Sequence, residues 1–274
     1  MAQVNQRVLP GFRLSLGFTL LYLTALVVVP LAACVLTALQ LSWDQFLAAA
    51  WTPRAQAAYA LTFSAALIAG VISVVLGTLI AWVLVRYEFP LKRFFDALVD
   101  LPFALPTAVA GLVFSSLYVP NGWMGRFLVP LGIELAYTRA AIVLVMVFIG
   151  FPFVVRTLQP VLGSLDAEVE EAASLLGASR WQAFRRVIFP AILPGALTGF
   201  ALAFARALGE YGSVVFVSSN IPGRSEIAAV LVVNKLEEFK EVEATAIATV
   251  LLAASFVMLG AVNMLERWSR RWDS

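Results

Sequence analysis

The sequence predicts an all-α integral membrane protein with one bundle of six transmembrane helices. Its 274 residues are 61% hydrophobic and only 13% charged, and the mean hydropathy is +0.90, far above that of an ordinary soluble domain. The apolar residues are gathered into runs long enough to cross a bilayer, which takes about 20 residues in a helix. A net charge of +2 is too small to indicate a nucleic-acid partner, and no internal repeat is visible.

Composition also excludes several kinds of functional site. The chain has no histidine, and Cys34 is its only cysteine, which argues against a zinc site, a disulfide and a histidine-based catalytic triad. Cys34 lies in an apolar run, where a small buried hydrophobe is expected. No stretch matches the phosphate-binding pattern GxxxxGK[ST], so any ATP must be hydrolysed by a partner. We therefore expect no metal, no cofactor and no enzymatic activity.

Six apolar segments define the predicted spans, and one of them should be broken. Their approximate bounds are 14–39, 57–85, 96–118, 138–157, 191–217 and 244–265. The first exceeds the usual signal-peptide core of about 7–15 residues, so we interpret it as a retained helix. The third contains Pro102 and Pro106, which remove backbone donors and should kink or interrupt the helix. Such a break is compatible both with a packing kink and with a translocation path.

We expect one transmembrane domain over 1–274. Residues 1–56 form its N-terminal helix and link, and 57–265 form a core bundle that contains a polar cytoplasmic loop at 164–190. A link over 40–56 carries tryptophans typical of a membrane interface, and residues 218–243 are predicted to be a charged loop.

Two spans carry stripes of small residues spaced by three or four. Small side chains at this spacing let helix backbones approach closely in lipid, so both stripes are interpreted as packing surfaces. The residues are Ala66, Gly70, Ser73 and Gly77 in the second span, and Gly195, Gly199, Ala203 and Ala207 in the fifth.

Arg206 and Glu210 are ionisable residues within the fifth span, four positions apart, and can pair on one helix. Charges in a span usually face the bundle interior or a water-filled cavity. The pair is interpreted first as a structural ion pair, because Glu210 cancels much of the field of Arg206. The alternative is that Arg206 lends positive potential to an anion path.

The polar segment 166–190 is predicted to form two short helices joined by a bend. Carboxylates crowd its first turns, where they favour the positive end of the helix dipole. Gly177 should supply a left-handed stop, Ser179 should cap the second helix and Pro190 should close it. An amphipathic hairpin lying on lipid headgroups is the alternative, but its acidic residues would be repelled by anionic lipid.

The distribution of lysine and arginine predicts which side of the membrane this loop faces. If the N-terminus is cytoplasmic, twelve basic residues lie on the cytoplasmic side and six on the other, with Arg206 inside a span. This bias fits the positive-inside rule. It places both termini and segment 166–190 in the cytoplasm. The twelve are Arg7, Arg13, Arg86, Lys92, Arg93, Arg156, Arg180, Arg185, Arg186, Arg267, Arg270 and Arg271.

The same polar segment resembles the EAA loop of ABC-importer permeases, whose pattern is E-A-A-x3-G-x9-I-x-L-P. The matching residues are Glu171, Ala172, Ala173, Gly177 and Pro190, with Val187 and Phe189 where isoleucine and leucine are commonest. The resemblance implies the six-helix, MetI-like fold of type I ABC importers. It further implies that the loop forms coupling helices that sit in a groove of a cytoplasmic ATPase.

Further segments are similar to the sulfate/thiosulfate permease family (CysT/CysU). They are RVLPGFRLSLG at 7–17, DALVDLPFALPTAVAGL at 96–112, FPFVVRTLQPVL at 151–162 and FARALGEYGSVVF at 204–216. The resemblance implies a multi-pass subunit in the bacterial inner membrane that imports sulfate and thiosulfate. The partners it implies are a CysA-like ATPase dimer, a CysW-like second permease and a periplasmic sulfate/thiosulfate-binding protein.

Three other functions were weighed. Molybdate/tungstate permeases share the DLPFALP-like and LGEFG-like segments, but they are usually shorter and lack the first span. An intramembrane enzyme would have little beyond Asp100, Arg206 and Glu210 for its chemistry. A non-transport membrane assembly protein would need neither the EAA spacing nor a broken third span. Pro102, Pro106, Arg206 and Glu210 are the candidate residues for the translocation path or its gate.

Overall fold

The computed structural model describes residues 12–165, 173 and 175–270, and side chains as far as residue 265. Its regular secondary structure in these residues is helical, with one isolated backbone bridge between Tyr137 and Ser218. In chain order, the helices are α1 Phe12–Ala38, α2 Trp43–Ala50, α3 Pro53–Arg86, α4 Lys92–Val99, α5 Leu101–Ala104, α6 Thr107–Tyr118, α7 Gly125–Leu128, α8 Arg139–Gly163, α9 Arg180–Leu208, α10 Val214–Val217, α11 Ala228–Glu237 and α12 Glu241–Arg270. A 3₁₀ turn at Val129–Leu131 follows α7.

Five helices are long and apolar enough to cross a membrane, namely α1, α3, α8, α9 and α12. The remaining predicted span, the third at 96–118, is broken into α5 and α6, as its prolines predict. Pro102 lies in the first turn of α5, and Leu105 is extended at φ −84° and ψ 131° directly before Pro106. A residue that precedes proline is pushed out of the helical region. The six-span fold class is confirmed, with the third span discontinuous.

Helices α3, α8 and α9 form the centre of the bundle, and the predicted small-residue stripes lie between them. A Cβ atom on Gly77 would stand 2.7 Å from Val154 Cβ, and one on Gly199 would stand 2.9 Å from Val154 Cα. Gly70 lies equally close to the ring of Phe200. Both stripes are therefore packing surfaces, because only residues without a larger side chain allow these helices to meet at this distance.

Two sequence-based predictions, one about a helix end and one about a loop, are wrong. Pro190 does not close the second short helix, because α9 runs without interruption from Arg180 to Leu208. A π turn over Phe184–Ile188 ends two residues before the proline. The wider turn accommodates the clash and the missing donor that a proline brings to a regular helix. Segment 218–243 is not wholly a loop, because it contains α11.

The first helix lies at the edge of the bundle. Residues 12–30 of α1 are exposed, and contact with α12 begins in its second half. There the Cys34 thiol lies 3.9 Å from the Thr249 hydroxyl and 4.0 Å from the Thr245 carbonyl oxygen. Cys34 is half-buried rather than fully buried, so its predicted role as a small apolar packing residue is confirmed only in part.

Candidate translocation and coupling sites

The broken third span packs against the segment that follows α9, and two glycines make this contact possible. A Cβ atom on Gly111 of α6 would lie 2.8 Å from Ser213 Cα and closer still to the Ser213 carbonyl oxygen. A Cβ atom on Gly212 would collide with the Thr107 hydroxyl at the start of α6. The segments 96–112 and 204–216, both of which resemble the sulfate/thiosulfate permease family, are therefore neighbours in space.

Arg206 and Glu210 form the predicted ion pair beside this contact. Arg206 Nη1 donates to Glu210 Oε2 at 2.7 Å. The other carboxylate oxygen, Oε1, accepts from the backbone N–H and the hydroxyl of Ser213, both at 2.8 Å. Glu210 is 1% exposed, whereas the Arg206 side chain is 33% exposed. Glu210 thus fixes the turn that leads from α9 into α10, in addition to pairing with Arg206.

This asymmetry predicts different effects for the two neutral substitutions. Glu210→Gln removes the charge that three donors share inside the bundle and leaves Arg206 without its partner. Removal of one member of a buried pair typically costs about 3–5 kcal/mol. Arg206→Gln leaves the buried Glu210 carboxylate without its counter-charge, whereas the guanidinium left by Glu210→Gln can still reach solvent. Arg206→Gln should therefore cost more.

We expect the loss of thermal stability in detergent to be larger for Arg206→Gln than for Glu210→Gln. If Arg206 instead supplies the field of an anion path, Arg206→Gln would reduce substrate uptake more than Glu210→Gln, at equal protein level.

A second ionic cluster, which the sequence did not predict, joins the broken span to α8. Arg156 Nη2 donates to Asp100 Oδ2 at 2.6 Å, and Arg156 Nη1 donates to Asp96 Oδ1 at 2.7 Å. Gln159 also donates to Asp96, at 2.8 Å. From sequence, Arg156 counted only as a basic residue at a span end. The i,i+4 spacing of Asp96 and Asp100 indicated that the two carboxylates share a helix face, but it did not indicate which basic residue binds them.

A third cluster closes the other end of the bundle. Arg54 holds the carboxylate of Glu226 with two hydrogen bonds of 2.7 Å, from Nε to Oε2 and from Nη2 to Oε1. Asn234 Nδ2 also donates to Oε1, at 2.8 Å. Glu226 is 2% exposed, and its separation from Arg54 by 172 residues left no signal in the sequence.

Segment 166–190, which resembles the EAA loop, lies partly within the described residues. Glu171 and Ala172 lie outside the described residues, whereas Ala173, Gly177 and Pro190 lie within them. Gly177 has the predicted left-handed backbone, at φ +80°, and the space beside it is open. The backbone N–H of Ala178 donates to the Ala173 carbonyl oxygen at 3.0 Å, which closes the preceding turn as C-terminal helix motifs do.

Ser179 begins the next helix, as predicted from sequence. Its hydroxyl accepts from the backbone N–H of Gln182 at 3.3 Å, and the Gln182 side chain accepts from the Ser179 backbone N–H at 2.8 Å. This reciprocal arrangement is a capping box. Leu175 and Leu176 are each 89% exposed beside it, and Trp181 is 68% exposed. Large apolar side chains on a surface outside the spans are typical of an interaction site.

No group of three or more metal-ligating acidic or cysteine side chains occurs in the described parts of the chain.

Comparison with known proteins identifies the family. Residues 73–271 match the family model of the binding-protein-dependent transport system inner membrane component. The chain is 52% identical over 93% of its length to the sulfate transport system permease protein CysT of Synechocystis sp., covering 89% of that protein. It is 46% identical over 97% of its length to the protein of the same name from Escherichia coli, also covering 97% of that protein.

Solved structures agree on the fold. A bacterial ABC transporter that imports the acidic polysaccharide alginate aligns with a TM-score of 0.74 at 16% identity, over 94% of this chain and 96% of that one. The inward-facing MetNI methionine ABC transporter aligns with a TM-score of 0.54 at 18% identity, over 76% of this chain and 93% of that one. The chain belongs to the family of inner membrane components of binding-protein-dependent transport systems, as a relative of the CysT sulfate permeases.

Proposed function

We propose that this chain is the transmembrane subunit of an ATP-driven importer that moves sulfate and thiosulfate from a periplasmic binding protein into the cytoplasm. The observation that carries the proposal is the identity of 46–52% to CysT sulfate permeases over 93–99% of the chain. Its partners would be a CysA-like ATPase dimer, a CysW-like second permease and a sulfate/thiosulfate-binding protein. The subunit would lie in the bacterial inner membrane with both termini in the cytoplasm.

The geometry of α9 supports a coupling role for the loop that precedes it. The helix starts at the capped Ser179 and continues to Leu208. Its 29 residues correspond to about 43 Å at 1.5 Å per residue. Arg206 lies near the far end, where its partner Glu210 fixes the turn against the broken third span. A displacement at the loop would therefore reach the Arg206–Glu210 pair through one rigid element.

The transport cycle follows from this connection. Closure of the ATPase dimer on ATP would push the coupling residues Glu171, Ala172, Ala173 and Gly177. α9 would then tilt and carry the turn at Glu210 with it. Because that turn packs on α6 through Gly111, the discontinuous span would move with α9, and the bundle would alternate between inward-open and outward-open states.

Uptake of labelled anions tests the substrate. Cells that lack the gene should lose uptake of sulfate and thiosulfate and keep uptake of molybdate, and the cloned gene should restore both losses. Loss of molybdate uptake alone would contradict the sulfate assignment and indicate a molybdate permease. Normal uptake of all three anions, with no ATPase recovered alongside the purified chain, would indicate a membrane assembly protein instead.

A further inference from the structure

A pocket of about 400 Å³ lies at the end of the bundle opposite the coupling loop, and we call it the distal pocket. Its polar lining comes from the start of α8 and from segment 219–225: Tyr137, Thr138, Arg139, Ser219, Arg224 and Ser225. α8 runs 25 residues from Arg139 to Gly163, about 37 Å, so the coupling loop at 164–190 begins at its other end. In the proposed topology the distal pocket opens to the periplasm.

The distal pocket is cationic. No acidic residue lines it, and no ion pair within the described chain joins Arg139 or Arg224 to a carboxylate. Glu226 is close in sequence to Arg224, but both of its oxygens are occupied by Arg54 and Asn234, and its side chain is fully buried. Within the described residues, the two guanidinium groups therefore have no carboxylate partner. The N-terminal end of α8, capped by Thr138, adds positive potential at the same place.

Hydrogen bonds hold the wall of the distal pocket in place. Arg139 Nε donates to the Arg224 carbonyl oxygen, which leaves the outer nitrogens of its guanidinium free for another acceptor. Ser218 Oγ donates to the Ser225 carbonyl oxygen, and the hydroxyls of Ser219 and Ser225 bond to each other, both at 2.7 Å. A guanidinium fixed in this way loses little conformational freedom when it binds an anion.

The distal pocket is also connected to the candidate path. The backbone N–H of Tyr137 donates to the Val217 carbonyl oxygen at 3.1 Å, and Val217 ends α10. α10 begins one residue after Ser213, whose backbone and hydroxyl bond Glu210. The pocket wall and the turn that would move in transport are therefore parts of one continuous segment, 210–225.

We infer that the distal pocket is a transit site for a tetrahedral oxyanion, which Arg139 and Arg224 receive before it enters the bundle. The inference rests on the proposed function, because it takes the transported anion as the ligand. Guanidinium groups donate paired hydrogen bonds to oxyanions, and hydroxyls complete such a shell. Arg139 and Arg224 are exposed, so binding would be weak. Weak binding suits a site that must release its ligand onward.

Measurement of uptake in proteoliposomes that contain the full transporter tests the transit site. Arg224→Gln removes one positive charge without breaking a side-chain hydrogen bond seen in the structure. The double variant Arg139→Gln/Arg224→Gln removes both positive charges. Arg126→Gln is the matched control, because Arg126 is also an exposed arginine but lies outside the pocket. Each variant is assayed over a range of loaded binding protein, which separates the maximal rate from the half-saturating concentration of that protein.

We expect the maximal rate of sulfate uptake to fall about threefold in Arg224→Gln and about tenfold in the double variant, since a hydrogen bond to a charged group is worth roughly this factor or more. Arg126→Gln should stay within twofold of the wild type, and the half-saturating concentration of binding protein should not change.

A raised half-saturating concentration with an unchanged maximal rate would overturn the inference, because it would show that the arginines dock carboxylates of the binding protein. Unchanged kinetics, or an equal loss in Arg126→Gln, would overturn it as well.

The anion that the wild-type transporter takes up tests the proposed function, independently of the variants. If it imports molybdate instead of sulfate, the same variant-to-wild-type ratios are read with molybdate, and if it imports neither, both proposals fail.

Discussion

Replacement of Gly111 by alanine is expected to destabilise the permease and to lower sulfate uptake about tenfold or more, although only one methyl group is added. The new Cβ atom would lie 2.8 Å from Ser213 Cα. Backbone atoms cannot rotate away, so α6 and segment 209–217 would have to separate. Overpacking of this kind costs about 1–3 kcal/mol, which exceeds the gain of about 1 kcal/mol that alanine normally brings to a helix.

Gly260→Ala is the matched control for this prediction. Gly260 also lies inside a helix, but a Cβ atom there would have no neighbour within 4 Å. The control should therefore keep full uptake and be as stable as the wild type or slightly more so. Thermal unfolding in detergent and uptake at equal protein level measure both effects. Equal stability and uptake in the two variants would show that the contact between α6 and segment 209–217 is not tight in the membrane.

The elements that follow from local patterns could be predicted from the sequence. The spans follow from hydrophobic runs, the break in the third span from Pro102 and Pro106, and the packing stripes from small residues at helical spacing. The pair of Arg206 and Glu210 belongs to the same class, because four residues on one helix bring two side chains together whatever the rest of the fold does.

The contacts between distant segments could not be predicted. Arg54 and Glu226 are 172 residues apart, and Arg156 is 56 residues from Asp100. In a single sequence each of these is an isolated charge, and many pairings satisfy the rule that buried charges need partners. The close contact of Gly111 with Ser213 could not be predicted for the same reason. A glycine within an apolar run indicates close packing but not the segment against which it packs.

The error at Pro190 has a different origin. Proline usually ends or kinks a helix, and the rule fails here because the π turn over Phe184–Ile188 changes the hydrogen-bond register just before it. Because of that error, the continuity of α9 from Arg180 to Leu208 was not predicted, although it is the feature most relevant to mechanism. Two short helices closed by Pro190 would transmit movement through a flexible joint, whereas one helix from Arg180 to Leu208 transmits it directly.

Replacement of Gly177 by valine is expected to reduce ATP-driven uptake at least about tenfold while membrane insertion stays normal, because the strained position lies in a loop outside the spans. Gly177 has φ +80°, a conformation that costs a residue with a Cβ atom about 1–2 kcal/mol and is rarer still for a β-branched side chain. No atom lies within 4 Å of the position a Cβ would occupy, so the effect would come from the backbone and not from a clash. The bend before Ser179 would open to relieve the strain.

Gly177→Asn separates backbone strain from the loss of glycine itself. Asparagine tolerates the left-handed region, and the open space beside Gly177 leaves room for its side chain. We therefore expect Gly177→Asn to keep uptake within about threefold of the wild type, whereas Gly177→Val loses both uptake and the stimulation of ATP hydrolysis by loaded binding protein. Because the ATPase would still bind and hydrolyse ATP at its basal rate, stimulation is the informative measurement. Normal stimulation in Gly177→Val, at normal protein level, would show that the bend at Gly177 does not orient the coupling helices, and that transmission to α9 depends on Ser179 and the exposed Leu175, Leu176 and Trp181 instead.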